Sequence, residues 1–254
     1  MRAPRLYQTE AIVLKRSDLN EADRIVTLYT PHRGKIRAIA KGSRRPLSKL
    51  AGHLELYTHS IVLIACGRHL DIVSQSQTID SFVSLREDLE KSVSALYVME
   101  VVDQFTEDGV EDYPVFKLIL ETLQRLVRPG DDNLILRYFD LHFLEFVGYR
   151  PQLQHCIHCE DDVQPITNFF SASSGGVLCP RCRAIDPTAR PISVNALKVL
   201  RHLQNGEDWL IDRLKMSRPL AAEMESLSRG YIRYLLDKDV KSAVLLDSLH
   251  QSQL

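Results

Sequence analysis

No apolar stretch of this 254-residue chain approaches the roughly 20 residues needed to cross a bilayer. None follows the Met1, Arg2, Arg5 start either, so the expectation is a cytoplasmic protein with no membrane partner. Gly-x4-Gly-Lys-Ser/Thr, Gly-x-Gly-x-x-Gly, His-Glu-x-x-His and Gly-x-Ser-x-Gly are all missing. ATP hydrolysis, dinucleotide chemistry and the common hydrolase mechanisms therefore lack a foothold, and the reading is of a protein that is not an enzyme. Aromatics are scarce at 7%, with Tyr7, Tyr29 and Tyr57 alone ahead of Phe82, and each reads as a core or rim residue. No internal repeat or low-complexity tract stands out.

What is there is divided by charge. The net charge is −1, yet residues 1–80 hold 13 Lys+Arg against 7 Asp+Glu, net +6, and residues 81–254 hold 19 against 26, net −7. A basic head on an acidic body suits a polyanion at the head; charge spread without purpose is the competing reading. The stretch Lys35–Lys49 concentrates the signal. Ile36, Ala38 and Ala40 alternate with Lys35, Arg37 and Lys41, as in a strand with one apolar and one cationic face. Gly42, Pro46 and Gly52 then turn the chain into a loop carrying Arg44, Arg45 and Lys49.

Strands are expected at residues 10–15, 25–29, 35–41, 56–65 and 70–79, rich in β-branched residues and separated by turn formers. Five strands in about 75 residues fit an OB-type barrel, with an SH3-like barrel as the structural competitor. On it the candidate polyanion contacts are Lys15, Arg16, Arg24, Arg33, Lys35, Arg37, Lys41, Arg44, Arg45 and Lys49. With so few aromatics for stacking, binding is expected to be directed at the nucleic-acid backbone and indifferent to sequence. Glu21 and Asp23 beside Arg24 read as a turn cap or local ion pair, not as a catalytic pair.

From Leu85 the period becomes helical. Leu85, Leu89, Val93, Leu96, Met99 and Val102 predict one helix over 84–106, opened by a Ser84/Glu87 capping box. A second is expected over 114–127. A third runs from Asp131, Asp132 or Asn133 to Gly148, apolar except for Arg137, Asp140, His142 and Glu145, with His142 read as a hydrogen-bonded histidine. Beyond Pro191, Ser193 caps a helix through Leu203, another spans 218–237, and residues 242–249 form a weak terminal one.

The most specific spacing is Cys156-x2-Cys159-x19-Cys179-x2-Cys182, the pattern of a four-thiolate zinc knuckle. Four thiolates close the coordination shell, so one structural zinc ion is expected and no activated water. Redox chemistry by either pair is the alternative, and His155 and His158 are reserve ligands. Arg181 and Arg183 beside the second pair read as solvated arginines, with an extension of the polyanion surface as the other possibility. Cys66, after an apolar strand, is expected to be buried.

The runs Glu10–Arg16, Asn20–Thr30 and Gly34–Ser48, with Phe82–Leu89, resemble the RecO family of bacterial recombination mediators. The resemblance implies an α+β multidomain protein: an OB-fold nucleic-acid-binding domain over 1–82, a helical domain over 83–150 and 191–254, and a zinc-ribbon-like insertion over 151–190. It further implies DNA repair and recombination, binding to single- and double-stranded DNA, and annealing of complementary strands without ATP. Loading of a recombinase onto strands coated by single-strand-binding protein, partnership with that protein and with a RecR-type mediator, and a nucleoid-associated place in the cytoplasm also follow from it. The other readings are a zinc-containing nuclease and an RNA-binding adaptor.

Overall fold

The computed structural model describes residues 6–207 and 209–251. It contains two compact units, Met1–Val127 and Arg128–Leu254.

In the first unit, β1 (Leu6–Asp18), β2 (Arg24–Thr30), β3 (Gly34–Ala40), β4 (His59–Ala65) and β5 (Asp71–Asp80) close a barrel in the order β1-β2-β3-β5-β4. β1 outruns its expected length because it serves both sides of the closure. Leu6–Ile12 pairs with β4 and Ile12–Asp18 with β2, all antiparallel, whereas β3 meets β5 in parallel. The barrel is filled by Ala11, Val13, Val26, Leu28, Ala38, Ala40, Leu54, Val62, Ile64 and Val73. Small alanines at 38 and 40 leave room for the larger side chains opposite.

A bulge between Val13 and Lys15 inserts Leu14 into the ladder and resets the alternation of β1. Lys15 then aligns with Thr27 and Arg37 on the outside, while Arg16 aligns with the core residues Val26 and Ala38. The fourth strand starts later than its sequence suggests. Residues 51–54 form a 3₁₀ turn and Tyr57 takes a left-handed conformation at φ 70°, donating its N–H to Val13. Cys66, expected to be buried, is instead exposed, just past the end of β4 at Ala65.

The expected helix over 84–106 is two. α1 (Val83–Glu87) ends at Asp88, whose backbone is extended and whose carboxylate accepts from the Lys91 N–H to open α2 (Leu89–Phe105). The Ser84/Glu87 box therefore does not form: Ser84 already lies inside α1, and Asp88 is the cap. α3 (Tyr113–Val127) follows. α2 packs on β1 and α3 on β2. They roof the outer row Ile12–Tyr29–Lys35, all three buried.

The second unit begins with α4 (Asp132–Phe146), capped by Asp131, whose carboxylate accepts from the N–H groups of Asn133 and Leu134. Arg137 and Asp140, two of the four polar residues on this otherwise apolar helix, are fully buried and paired at 2.9 Å. His142 is hydrogen-bonded, its Nε2 lying 3.0 Å from the Leu203 carbonyl. β6 (Asn168–Ser171) pairs with β7 (Gly176–Leu178) and β8 (Arg190–Ile192) in a small antiparallel sheet. α5 (Val194–Gln204, capped by Ser193), α6 (Trp209–Arg213), α7 (Arg218–Leu236) and α8 (Lys241–Gln251) complete the unit, with α5 and α7 packed on α4.

Candidate nucleic-acid interface and metal centre

The ten barrel cations do not lie on one face. Arg33, in the β2–β3 turn, and Lys41, just past β3, are separated by the seven residues of β3, about 25 Å. Between them the outer side of β3 is occupied from within the unit. The connection from α2 to α3, residues 106–112, is acidic (Glu107, Asp108, Glu111, Asp112) and runs alongside the start of β3. Gly109 donates its N–H to the Lys35 carbonyl at 2.8 Å. Gly34, at φ 53°, admits this approach: a Cβ there would stand 1.8 Å from the Val110 carbonyl oxygen.

The consequences fall on Lys15, Lys35 and Arg37. Lys35 is 8% exposed, with its ammonium 2.5 Å from the Asp103 carbonyl oxygen and 3.3 Å from the Asp103 carboxylate. Lys15 pairs with Asp103 at 3.7 Å. Arg37 places Nε at 2.9 Å and Nη2 at 2.8 Å from one oxygen of Asp108. Arg16, turned by the bulge, pairs with Glu55 at 2.5 Å. Arg33 is exposed and lies over the Tyr7 ring, 3.9 Å from its centroid. Of the three tyrosines considered for stacking, Tyr29 and Tyr57 are buried and Tyr7 is half-buried beneath that arginine.

The remaining cations gather at the other end of β3, where the β1–β2 turn and the loop after β3 hold each other. Asn20 Oδ1 accepts from the N–H groups of Ala22 and Asp23. Asp23 in turn accepts from the Gly42 N–H at 2.7 Å, and the Arg44 N–H donates to Ala22. The Gly42 N–H, then the Asn20 amide, hold the Asp23 carboxyl below its ordinary pKa. Asp18 binds Arg24 at 3.1 Å and Arg44 at 3.3 Å. Lys41, Arg45 and Lys49 are exposed and make no ion pair among the described residues. The carboxylates of the β1–β2 turn thus build the loop. No metal cluster stands with them among the described residues.

The four cysteines of the second unit converge. Their Sγ atoms all lie within 4.8 Å of one another, and those of Cys159 and Cys179 are 3.8 Å apart, the separation expected of thiolates at about 2.3 Å from one tetrahedral ion. Cys156, Cys179 and Cys182 are buried. Burial opposes ionisation of Cys156, but the N–H groups of Cys159, Cys179 and His158 outweigh it and bring its thiol down to about 6. Burial next to the other sulfurs pushes Cys182 up to about 12. His155 instead pairs with Asp162 at 2.9 Å and His158 points to solvent, so the donor set is the four sulfurs. Gly176 is needed at this site: a Cβ would meet the Gln152 carbonyl oxygen at 2.7 Å, where β7 runs against residue 152. Arg181 binds Asp161, and Arg183 lies over the Phe169 ring.

A closed barrel of order 1-2-3-5-4 with a cationic loop, carried on a chain with helices, defines an OB-type α+β protein with a cluster of four cysteines that could hold a metal ion. Residues 1–82 match the family model described as Recombination protein O N terminal, and residues 86–243 that described as Recombination protein O C terminal. A protein named DNA repair protein RecO from Roseiflexus sp. (strain RS-1) is 44% identical over 247 residues, 97% of this chain and 87% of its own. One of the same name from Dehalococcoides mccartyi is 41% identical over 254 residues, the whole of both chains. The chain belongs to the RecO family of recombination proteins.

Proposed function

We propose that this protein is a non-enzymatic mediator of DNA repair in the cytoplasm, associated with the nucleoid, that anneals complementary single strands and assists recombinase loading onto strands coated by single-strand-binding protein. The observation that carries the reading is full-length kinship with proteins named for DNA repair, joined to a barrel loop on which three exposed cations, Lys41, Arg45 and Lys49, stand without ion pairs among the described residues. Annealing needs no fuel, because pairing is downhill once the repulsion between phosphates is reduced by bound cations.

Lys41, Arg45 and Lys49 are the first contacts for phosphates, with Arg33 a separate one. Arg24 and Arg44 sit at the same end of the barrel, bound to Asp18. Lys15, Arg16, Lys35 and Arg37 contribute through the shape they hold and only secondarily through charge, since each faces a carboxylate. With about four phosphates neutralised, single-strand affinity falls with salt at a log–log slope of roughly −3. One zinc ion fits the four thiolates and supplies cross-linking to a sheet too small for a core of its own. Single-strand-binding protein and a RecR-type mediator are the protein partners in this reading.

The test is annealing of two complementary oligonucleotides without ATP, with and without single-strand-binding protein, at two salt concentrations. Salt-sensitive acceleration, lost in a Lys41→Glu/Arg45→Glu/Lys49→Glu variant, is expected. Absence of acceleration, DNA cleavage with a divalent metal, or preference for structured RNA would overturn the reading.

A further inference from the structure

Leu47 is 96% exposed, whereas the next most exposed large apolar side chain among the described residues, Leu89, is at 63%. Its position is built, not incidental to a slack loop. Pro46 and Leu47 are the two central residues of a turn closed by the Ser48 N–H to the Arg45 carbonyl at 3.0 Å, with proline in the place that its ring geometry favours. The preceding turn is closed by the Arg45 N–H to Gly42, and Gly42 is itself tied to Asp23. After the turn, the Leu50 N–H donates to Ser48 Oγ and its side chain packs against the barrel core. A proline-stiffened apex therefore holds a bare leucine outward, with Arg45 and Lys49 each two residues away.

Charge complementarity selects the occupant. No carboxylate stands between Asp23 and Glu55 in the sequence. A second copy of the same loop would bring like charges together. A nucleic-acid strand offers both an anionic backbone for Lys41, Arg45 and Lys49 and flat apolar base faces for Leu47. Leucine is among the side chains that enter base steps and unstack them. We propose that Leu47 is a wedge that enters the base stack of the strand whose phosphates this loop holds. The inference rests on the nucleic-acid reading above and assigns the loop the task of interrupting stacking, which exposes bases to an incoming complement.

The test uses the full chain and a single-stranded oligonucleotide carrying 2-aminopurine, with anisotropy reporting binding and fluorescence intensity reporting stacking. Wild type and Leu47→Met should bind and brighten the probe. Leu47→Asn should bind about tenfold more weakly, from the lost burial of one leucine. Its salt slope should be unchanged and the brightening lost. Leu47→Asn with wild-type affinity and brightening overturns the wedge and leaves the nucleic-acid reading intact, assigning Leu47 to some other occupant. Failure of the wild type to bind any oligonucleotide overturns both.

Discussion

Replacing Asp108 with asparagine should make this protein bind single-stranded DNA more tightly. Asp108 holds Arg37 through two short contacts, yet the side chains are 44% and 58% exposed, so the pair contributes no more than about 1 kcal/mol to folding. Asparagine keeps the shape of the side chain and the backbone contacts of the α2–α3 connection. Arg37 then gains freedom to meet a phosphate, and one negative charge leaves the outer side of β3. A gain of about 1 kcal/mol corresponds to roughly fivefold in affinity. One further phosphate neutralised steepens the salt slope by roughly 0.7. Anisotropy of a labelled oligonucleotide across a salt series reads both quantities. Arg37→Ala alone should weaken binding modestly, because it leaves the Asp108 carboxylate uncompensated, and in the Asp108→Asn background it should reduce the gain to the part owed to the lost negative charge. Unchanged or weaker binding by Asp108→Asn would refute the idea that the acidic connection competes with phosphates.

Gly34→Ala forces a methyl group into the Val110 carbonyl at a positive φ and should lower the unfolding free energy read from chemical denaturation by at least the roughly 1–3 kcal/mol of a strained backbone; a variant as stable as wild type would mean that the connection is easily displaced. Cys179→Ser should remove bound metal, about one ion per chain by elemental analysis, and open residues 152–190 to protease while the barrel retains its resistance. Asp186 accepts from the hydroxyls of Ser171, Ser173 and Thr188, and these bonds, the Ser171 one foremost, bring its pKa down to about 2. Because the folded-state value is depressed, its contribution is fully present above about pH 4 and disappears as pH falls through about 2. Asp186→Asn should cost about 2 kcal/mol at neutral pH and flatten that acid limb in a denaturation series.

The barrel and the tetrathiol cluster were legible because each rests on a local pattern. Ile36, Ala38 and Ala40 alternate within a single strand, and the paired Cys-x2-Cys steps carry their own geometry. What escaped the sequence depends on partners far along the chain or on a one-residue irregularity. Lys35 sits at a strand position that alternation assigns to the cationic face, and only the arrival of Asp103 and Asp108, about 70 residues later, makes that position buried. The bulge at Leu14 put Arg16 in line with the core rows and Lys15 outside them, and no periodicity announces such a bulge. Asp88 and Ser84 are both good caps in composition, and the extended backbone at Asp88 decided between them. The burial of Arg137 with Asp140 was hidden because an i,i+3 pair on a helix reads the same whether it faces water or the core.

The roof over Ile12, Tyr29 and Lys35 bears on how this protein can be inherited in pieces. The N-terminal family match stops at residue 82, but the barrel's outer row is covered by helices beyond that boundary. Arg86 donates to the carbonyls of Leu56 and Ser81, Tyr57 reaches Ser92, and Lys35 reaches the last turn of α2. A gene fusion that borrowed only the first 82 codons would transplant a barrel with an oily flank, a lysine lacking its counter-charge and a glycine held for an absent neighbour. The heritable cassette is therefore the stretch ending near Val127, and shuffling at the earlier seam should be selected against even where every phosphate contact is retained.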